Sequence, residues 1–307
     1  MRFPPPGRMV DIGGRLLHVQ VSGERFGGPT VLLEAGLAAT SLSWALVQPL
    51  IAEFARVASY DRAGLGWSGD AVAPATALNA VHDLRAVIER AELPGPYILV
   101  GHSFGGLIVR LFQQLHPDRV AGLVLVDPVA RAEWREPDAR HGKMLERGAA
   151  LSRRGAFLAR IGVVRFVLER LTGGSQRMPE FMAKIFAGHG SGVVSRMVGE
   201  VRKIPRELWP LIAAHWSEAR AFQIMAEYLA LLPVSCGQLD AGRTLGDLPV
   251  IVLSSASATA GNLAEHQADA CLSTRGEHRV VPGTGHWINL DAPEAIAAAL
   301  RTSPLRL

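Results

Sequence analysis

Cysteine is nearly absent from this 307-residue chain, with Cys236 and Cys271 its only two. Two cysteines make no disulfide framework, and these lack metal-ligand spacing. Both read as small packing residues in a reducing compartment. Long apolar runs are missing as well: none approaches the ~18 residues of a membrane span. The opening "MRFPPPGRMVDIGG" has neither the apolar segment nor the cleavage site of a secretory leader. The expectation is a soluble chain that stays in the cytoplasm. Lysine is scarce, arginine supplying 29 of the 32 basic residues. A net charge of +4 over this length is weak evidence for a nucleic-acid partner, and none is expected. The basic excess is local: residues 131–170 hold ten basic and five acidic side chains.

What the chain does have is alternation. "MVDIGGRLLHVQVSG" reads as a hairpin about Gly13-Gly14. Short apolar runs follow at "TVLLEAG", "ARVASYDRAG", "YILVGHS", "VAGLVLVDP", "LPVIVLSS" and "EHRVVPG", each the length of a strand buried on both faces. Helical patterns separate them at "SLSWALVQPLIAEF", "LNAVHDLRAVIERAE", "FGGLIVRLFQQLH", "NLAEHQADACL" and "APEAIAAALR". This predicts an α/β fold, a mostly parallel sheet with helices on both faces. Its functional groups belong on loops at the carboxyl ends of strands. The alternation stops between residues 131 and 245, which show helical periodicity, Gly/Pro breaks and no clear strand. Residues 1–130 and 246–307 therefore read as the core and 131–245 as a helical insertion.

"YILVGHSFGG" stands where a strand meets a helix. A Gly-x-Ser-x-Gly turn forces its serine into an unfavourable backbone conformation, which the flanking Gly101 and Gly105 make room for. Ser103 then projects its hydroxyl at a helix amino terminus, where developing negative charge is favoured. A serine needs a base to become nucleophilic. Of ten histidines, His286 in "GTGHWINLDAPE" lies between the last strand and the last helix, at the same sheet edge. His82, His116, His215 and His266 fall within helical patterns and read as partly exposed surface residues. "GLGWSG" (64–69) also fits Gly-x-Gly-x-x-Gly, but Pro74 breaks the helix that a dinucleotide site needs next and no strand-end acid follows.

Several motifs in order, "LEAGL…SLSW", "YDRAGLGWS", "VGHSFGG", "GLVLVDP" and "GTGHWINLDAPE", make the chain resemble the α/β-hydrolase fold proteins, specifically capped serine hydrolases of the esterase and lipase kind. The resemblance covers nearly everything but the insertion, which it identifies as a helical cap after strand 6. It implies an eight-stranded sheet, a Ser-acid-His triad in that chain order and no cofactor or metal. The acid has three candidates. Many members carry it just after strand 7, where "ASATAGN" here has no carboxylate; Glu265 and Asp269 come next. Asp127 ends strand 6, a position some members use, though Asp-Pro is also a plain turn signal. Oxyanion-hole donors are expected at the main-chain N–H of Phe104 and of Leu37. Where members usually read His-Gly-x in that loop, this chain reads Glu34-Ala35-Gly36-Leu37, and a hydrogen bond bracing the loop is the expected role of Glu34. Asp61 and Arg62 fall in a loop that braces the site in the family.

Trp44, His102 and Trp287 are the expected substrate-pocket residues. In the insertion, Phe157, Ile161, Val164, Leu168 and Leu171 share a helical face, with arginines over much of the rest. This reads as a lid packed on the core with a solvated basic face; docking on an anionic membrane is the lesser reading. Met178, Met182, Met197, Trp209, Trp216, Phe222 and Met225 supply apolar material for the cap. The leading expectation is hydrolysis of a small-to-medium apolar carboxylic ester through an acyl-enzyme. Lactonase, thioesterase, C–C hydrolase, aminopeptidase, acyltransferase or perhydrolase chemistry stays open, as does a ligand receptor with little turnover. Oligomeric state is not legible.

Overall fold

The computed structural model describes residues 3–172, 203–302 and Leu305; Met178, Met182 and Met197 lie outside these. Eight strands form one sheet in the order β1-β2-β4-β3-β5-β6-β7-β8. The expected hairpin supplies β1 (Arg8–Asp11) and β2 (Leu16–Ser22), and both join antiparallel. The other six, β3 (Thr30–Glu34), β4 (Val57–Tyr60), β5 (Tyr97–His102), β6 (Val120–Val126), β7 (Val250–Ser255) and β8 (Gly276–Val281), run parallel.

Side chains alternate along each strand, so neighbouring residues feed different layers. Leu99, Leu123 and Val252 pack with α2 (Ala77–Arg90) and α3 (Phe104–Leu115) on one face. Ile98, Val100, Val124 and Ile251 pack with α1 (Val47–Ile51) and the helix Pro293–Arg301 on the other. Both faces are apolar, which is why these strands read as unbroken apolar runs. One expected helix is divided: "SLSWALVQPLIAEF" forms a 3-10 turn at Ser41–Trp44 and then α1. Pro49 lacks the N–H that a continuous helix from Ser41 would need there, and it fits only in a first turn.

Between β6 and β7 the described elements are all helical: α4 (Arg131–Arg135), α5 (Ala139–Arg160), α6 (Val163–Thr172) and the helices Trp209–Trp216, Ala219–Ala230 and Leu232–Gln238. They share a core with the sheet, because Ile224, Tyr228, Leu232 and Cys236 join the cluster beneath α2 and α3. Two residues of the face expected to pack inward, Phe157 on α5 and Ile161 just past its end, face solvent instead at 63% and 57% exposed, while Val164 and Leu168 on α6 are half-buried. Helix α5 buries Leu145, Ala149, Ser152, Ala156 and Ala159. These small residues admit a close neighbour: a Cβ on Gly155 would stand 2.6 Å from the Phe222 ring of the helix Ala219–Ala230. The large apolar side chains of the other face have no room in such a contact.

Candidate active site

β5 is buried along its whole length and passes into α3 through one residue, Ser103. Its φ of 53° and ψ of −118° lie where a side chain is strained. Its neighbours must be glycine for a concrete reason. A Cβ on Gly101 would stand 2.5 Å from Gly105 O, and one on Gly105 would stand 2.4 Å from Glu34 O. The corner is pinned by Ser103 N donating to Val126 O (3.0 Å) and by Ser103 O accepting from Gly106 N (2.9 Å).

His286 comes from the turn after β8. Its Nε2 lies 2.9 Å from Ser103 Oγ, and its Nδ1 lies 2.7 Å from Asp127 Oδ2. An ionised carboxylate only accepts, so Nδ1 carries the proton and Nε2 accepts from the serine hydroxyl. Asp127 stands just past β6 with a φ of 41°, and its Oδ1 accepts from Ser255 N at 2.8 Å. Burial pushes this carboxyl up, but the bonds from His286 and Ser255 outweigh it and hold the group below its ordinary value. The other candidate acids are engaged elsewhere. Asp269 accepts from Arg110 at 2.5 Å, and Glu265 accepts from the main-chain N–H of Ala132 at 3.1 Å, at the start of the insertion.

The loop after β3 lies against the serine, since a Cβ on Gly36 would stand 3.7 Å from Ser103 Cβ. Among the described residues, neither Leu37 N–H nor Phe104 N–H donates to another protein group. Arg62, 3% exposed, holds this loop from behind. Its guanidinium donates to Glu34 Oε1 (2.5 Å), to Ala35 O (2.7 Å) and to the carbonyls of Gly36 and Leu37. Tyr60 donates its hydroxyl to the second Glu34 oxygen. Burial raises the Glu34 carboxyl against the pull of Arg62. Burial also works against the charge on Arg62, but Tyr228, Glu34 and Tyr60 beside it win, so the guanidinium stays charged. Tyr228 comes from the helix Ala219–Ala230, with Arg62 5.2 Å above its ring centroid, which links the insertion to the loop. Asp61, next in line, accepts from Ser41 N (2.7 Å), Trp67 N (3.0 Å) and His18 Nδ1 (3.0 Å). These contacts are the bracing expected of Glu34, Asp61 and Arg62.

Two expected pocket residues sit elsewhere. Trp44 is fully buried in the core, edge-on to His102. His102, 1% exposed, does not line a pocket; its Nε2–H donates to the main-chain carbonyl of His286 at 2.9 Å. Its alternation along β5 turns it under the site. Burial, with help from the nearby His286, lowers its pKa to about 3, so the ring is neutral. Trp287 is partly exposed, its ring centroid 5.1 Å from that of His102, and it packs against the buried cluster of Leu42, Trp67, Ile204, Ile212 and Leu290. His215 and His266 are buried rather than on the surface. Helical spacing alone does not show what covers a face. The reach of Arg62 had a signal: an acid at the end of one buried run and an arginine just past the end of another.

Comparison with known proteins identifies the family and the fold. A family model described as the alpha/beta hydrolase family matches residues 31–299. Among curated proteins, a putative carbamate hydrolase RutD of Variovorax paradoxus is 32% identical over 140 residues, 44% of this chain and 49% of that protein. An uncharacterized protein YqjL of Bacillus subtilis is 35% identical over 101 residues, 33% of this chain and 40% of that protein. The matched segments thus span less than half of these relatives. Among solved structures, the epoxide hydrolase CorEH superposes with a TM-score of 0.69 at 18% identity, covering 96% of each chain. A thermophilic esterase from Thermogutta terrifontis superposes with a TM-score of 0.57 at 23% identity, covering 94% of this chain and 92% of its own. With the family model spanning most of the chain, and the eight-stranded sheet carrying its expected loops, this protein belongs to the alpha/beta hydrolase family.

Proposed function

We infer that this hydrolase cleaves a carboxylic ester through an acyl-enzyme on Ser103. The observation that carries the reading is the continuous line of hydrogen bonds from Ser103 Oγ through His286 to Asp127, at 2.9 and 2.7 Å. Ser103 Oγ attacks the ester carbonyl carbon while its proton passes to His286 Nε2. Asp127 stabilises the imidazolium and fixes its tautomer. The carbonyl oxygen, now negative, accepts from Leu37 N–H and Phe104 N–H, donors of a kind whose single loss costs about 10²–10³ in rate. Collapse expels the alcohol, which takes the proton from His286. Water then attacks the acyl-enzyme by the same route, releasing the acid and restoring Ser103. This chemistry calls for no cofactor.

The helices of residues 131–245 act as a cap over the serine, with Trp287 and its neighbours forming an apolar wall suited to small or medium acyl groups. A cytoplasmic setting accords with two free cysteines. Among the described residues, no helix is long and apolar enough to cross a membrane. The test is hydrolysis of p-nitrophenyl esters of increasing chain length by wild type and Ser103→Ala, beside labelling with a fluorophosphonate. Turnover and label confined to wild type support the reading, and the chain-length optimum sizes the pocket. A folded wild type that turns over no ester in the series overturns it.

A further inference from the structure

Behind Asp127 lies a second line of polar side chains that the proposed chemistry does not use. His266, on the helix Ala260–Cys271, is 1% exposed. Its Nε2 lies 2.8 Å from Pro128 O, and its Nδ1 lies 2.6 Å from Ser254 Oγ in β7. Ser254 Oγ lies in turn 2.7 Å from His278 Nε2 in β8, and His278 Nδ1 lies 3.1 Å from Gln267 Oε1, which accepts from it. The direction of the innermost bond is fixed by its acceptor. A carbonyl only accepts, so His266 Nε2 carries a proton and donates to Pro128 O. Ser254 Oγ thus stands between His266 Nδ1 and His278 Nε2 and orients both rings.

The carbonyl they reach belongs to the residue after Asp127. The segment Asp127-Pro128-Val129 leaves β6 through a left-handed residue, a conformation that reverts unless its surroundings over-determine it. Asp127 N donates to Leu253 O (2.7 Å), and Val129 N donates to Ser103 O (3.2 Å), which ties the segment to the serine turn. Pro128 presses on α3, where a Cβ at Gly106 would stand 2.9 Å from Pro128 Cβ. Pro128 has no N–H, so the carbonyl is its only main-chain handle, and His266 takes it.

We propose that His266, oriented by Ser254 and His278, is a positioning residue for Asp127: its bond to Pro128 O holds the strained turn that aims the carboxylate at His286. The kinetic part of this inference rests on the ester-hydrolysis reading; the geometric part does not. Three variants separate positioning from plain packing. His266→Leu removes both bonds, His266→Gln keeps a donor at the Nε2 position, and Ser254→Ala leaves the imidazole but frees its tautomer.

Each is compared with wild type in kcat and KM for p-nitrophenyl butyrate, normalised to fluorophosphonate-titrated sites, and in thermal unfolding. The far-downfield proton resonance of the His286 Nδ1–H···Asp127 hydrogen bond is recorded alongside. The expected result for His266→Leu is a kcat lower by about tenfold or more at a KM within about twofold, as misplacement of a reacting group produces. The resonance shifts or is lost. His266→Gln restores most of both, and Ser254→Ala falls between. A His266→Leu protein that unfolds at lower temperature yet keeps its kcat per titrated site and its resonance overturns the proposal, leaving His266 a packing residue. If His266→Leu does not fold, His266→Gln and Ser254→Ala decide: an unmoved resonance and kcat in Ser254→Ala, with no gain of His266→Gln over it, also overturns it. Should wild type turn over no ester, the resonance alone still decides the positioning role.

Discussion

Replacing Arg62 by lysine isolates what the guanidinium does for the loop after β3. The peptide linking Gly36 to Leu37 is planar and trans, so its C=O and N–H point in opposite directions. Arg62 binds Gly36 O, and on the mechanism proposed above that bond sets the direction of Leu37 N–H. The guanidinium serves four acceptors, one carboxylate oxygen and three successive carbonyls. A lysine ammonium has three donors at a single point and cannot span them. Gly36 O keeps the Ala39 N–H at 3.2 Å, but loss of the donor to Ala35 O orphans that carbonyl, costing about 1–3 kcal/mol and lowering Tm by a few degrees. The charge opposite Glu34 is kept, so the ~3–5 kcal/mol penalty of an abandoned buried charge, expected for Arg62→Met, does not apply. With the Gly36-Leu37 peptide free to tilt, kcat falls toward the ~10²–10³ limit for losing one oxyanion donor. KM changes little, because the donor acts mainly on charge that develops after binding. The assay is p-nitrophenyl butyrate turnover per titrated site, with folding checked by circular dichroism. A folded Arg62→Lys enzyme with kcat within about twofold of wild type would show that the loop is set by something other than the clamp.

Two further outcomes follow from the same geometry. Asp127→Asn should leave the fold intact and lower kcat by about 10⁴, because an amide stabilises the wrong histidine tautomer; near wild-type turnover would remove Asp127 from the triad. His102, its pKa brought to about 3 by burial, should show no titration of its ring proton resonances between pH 5 and 8, and an inflection in that range would contradict the assignment. The linkage has a definite sign. The unfolded chain binds a proton at this histidine near pH 6.5 and the folded chain does not. Folding stability therefore falls as pH drops from about 6.5 toward 3, by up to about 1.4 kcal/mol per pH unit from this group.

Much of the sheet was legible because strands buried on both faces need apolar residues at every position, and helices between them need a different period. The serine and histidine were legible for a related reason. A one-residue strand-to-helix corner imposes glycine on its own neighbours, and a base at the last sheet edge has few places to be in the sequence. What the sequence left open depends on which surface a helix meets. His266 sits in a helical pattern that looks exposed on one side, yet that side faces Ser254 of β7. On α5 the periodicity was real, but the small residues Ala149, Ser152 and Ala156 were taken into the helix contact and the large ones left outside. Its place at the end of β6 makes Asp127 the leading candidate acid, but spacing does not exclude Asp269 and Glu265, because each is committed by a partner distant in the chain: His286, Arg110 and Ala132.

Glu34 shows how a departure from a family pattern can be informative. A carboxylate at the end of a strand buried on both faces is costly, and a buried ion pair by itself is weak evidence for stability. The register Leu33↔Ser59 brings Glu34 alongside Tyr60 and just short of Arg62, so the charge is matched across two parallel strands. Matching alone does not explain why the pair is there, since two apolar residues would pack as well. The explanation is in the remaining bonds of Arg62. Three carbonyls in a row, Ala35, Gly36 and Leu37, take donors from Arg62 at the turn proposed to present Leu37 N–H. A guanidinium supplies them, and Glu34 keeps that guanidinium charged and in place. On the proposed mechanism the buried pair serves to orient one backbone N–H at the serine, and Arg62→Lys tests that account directly.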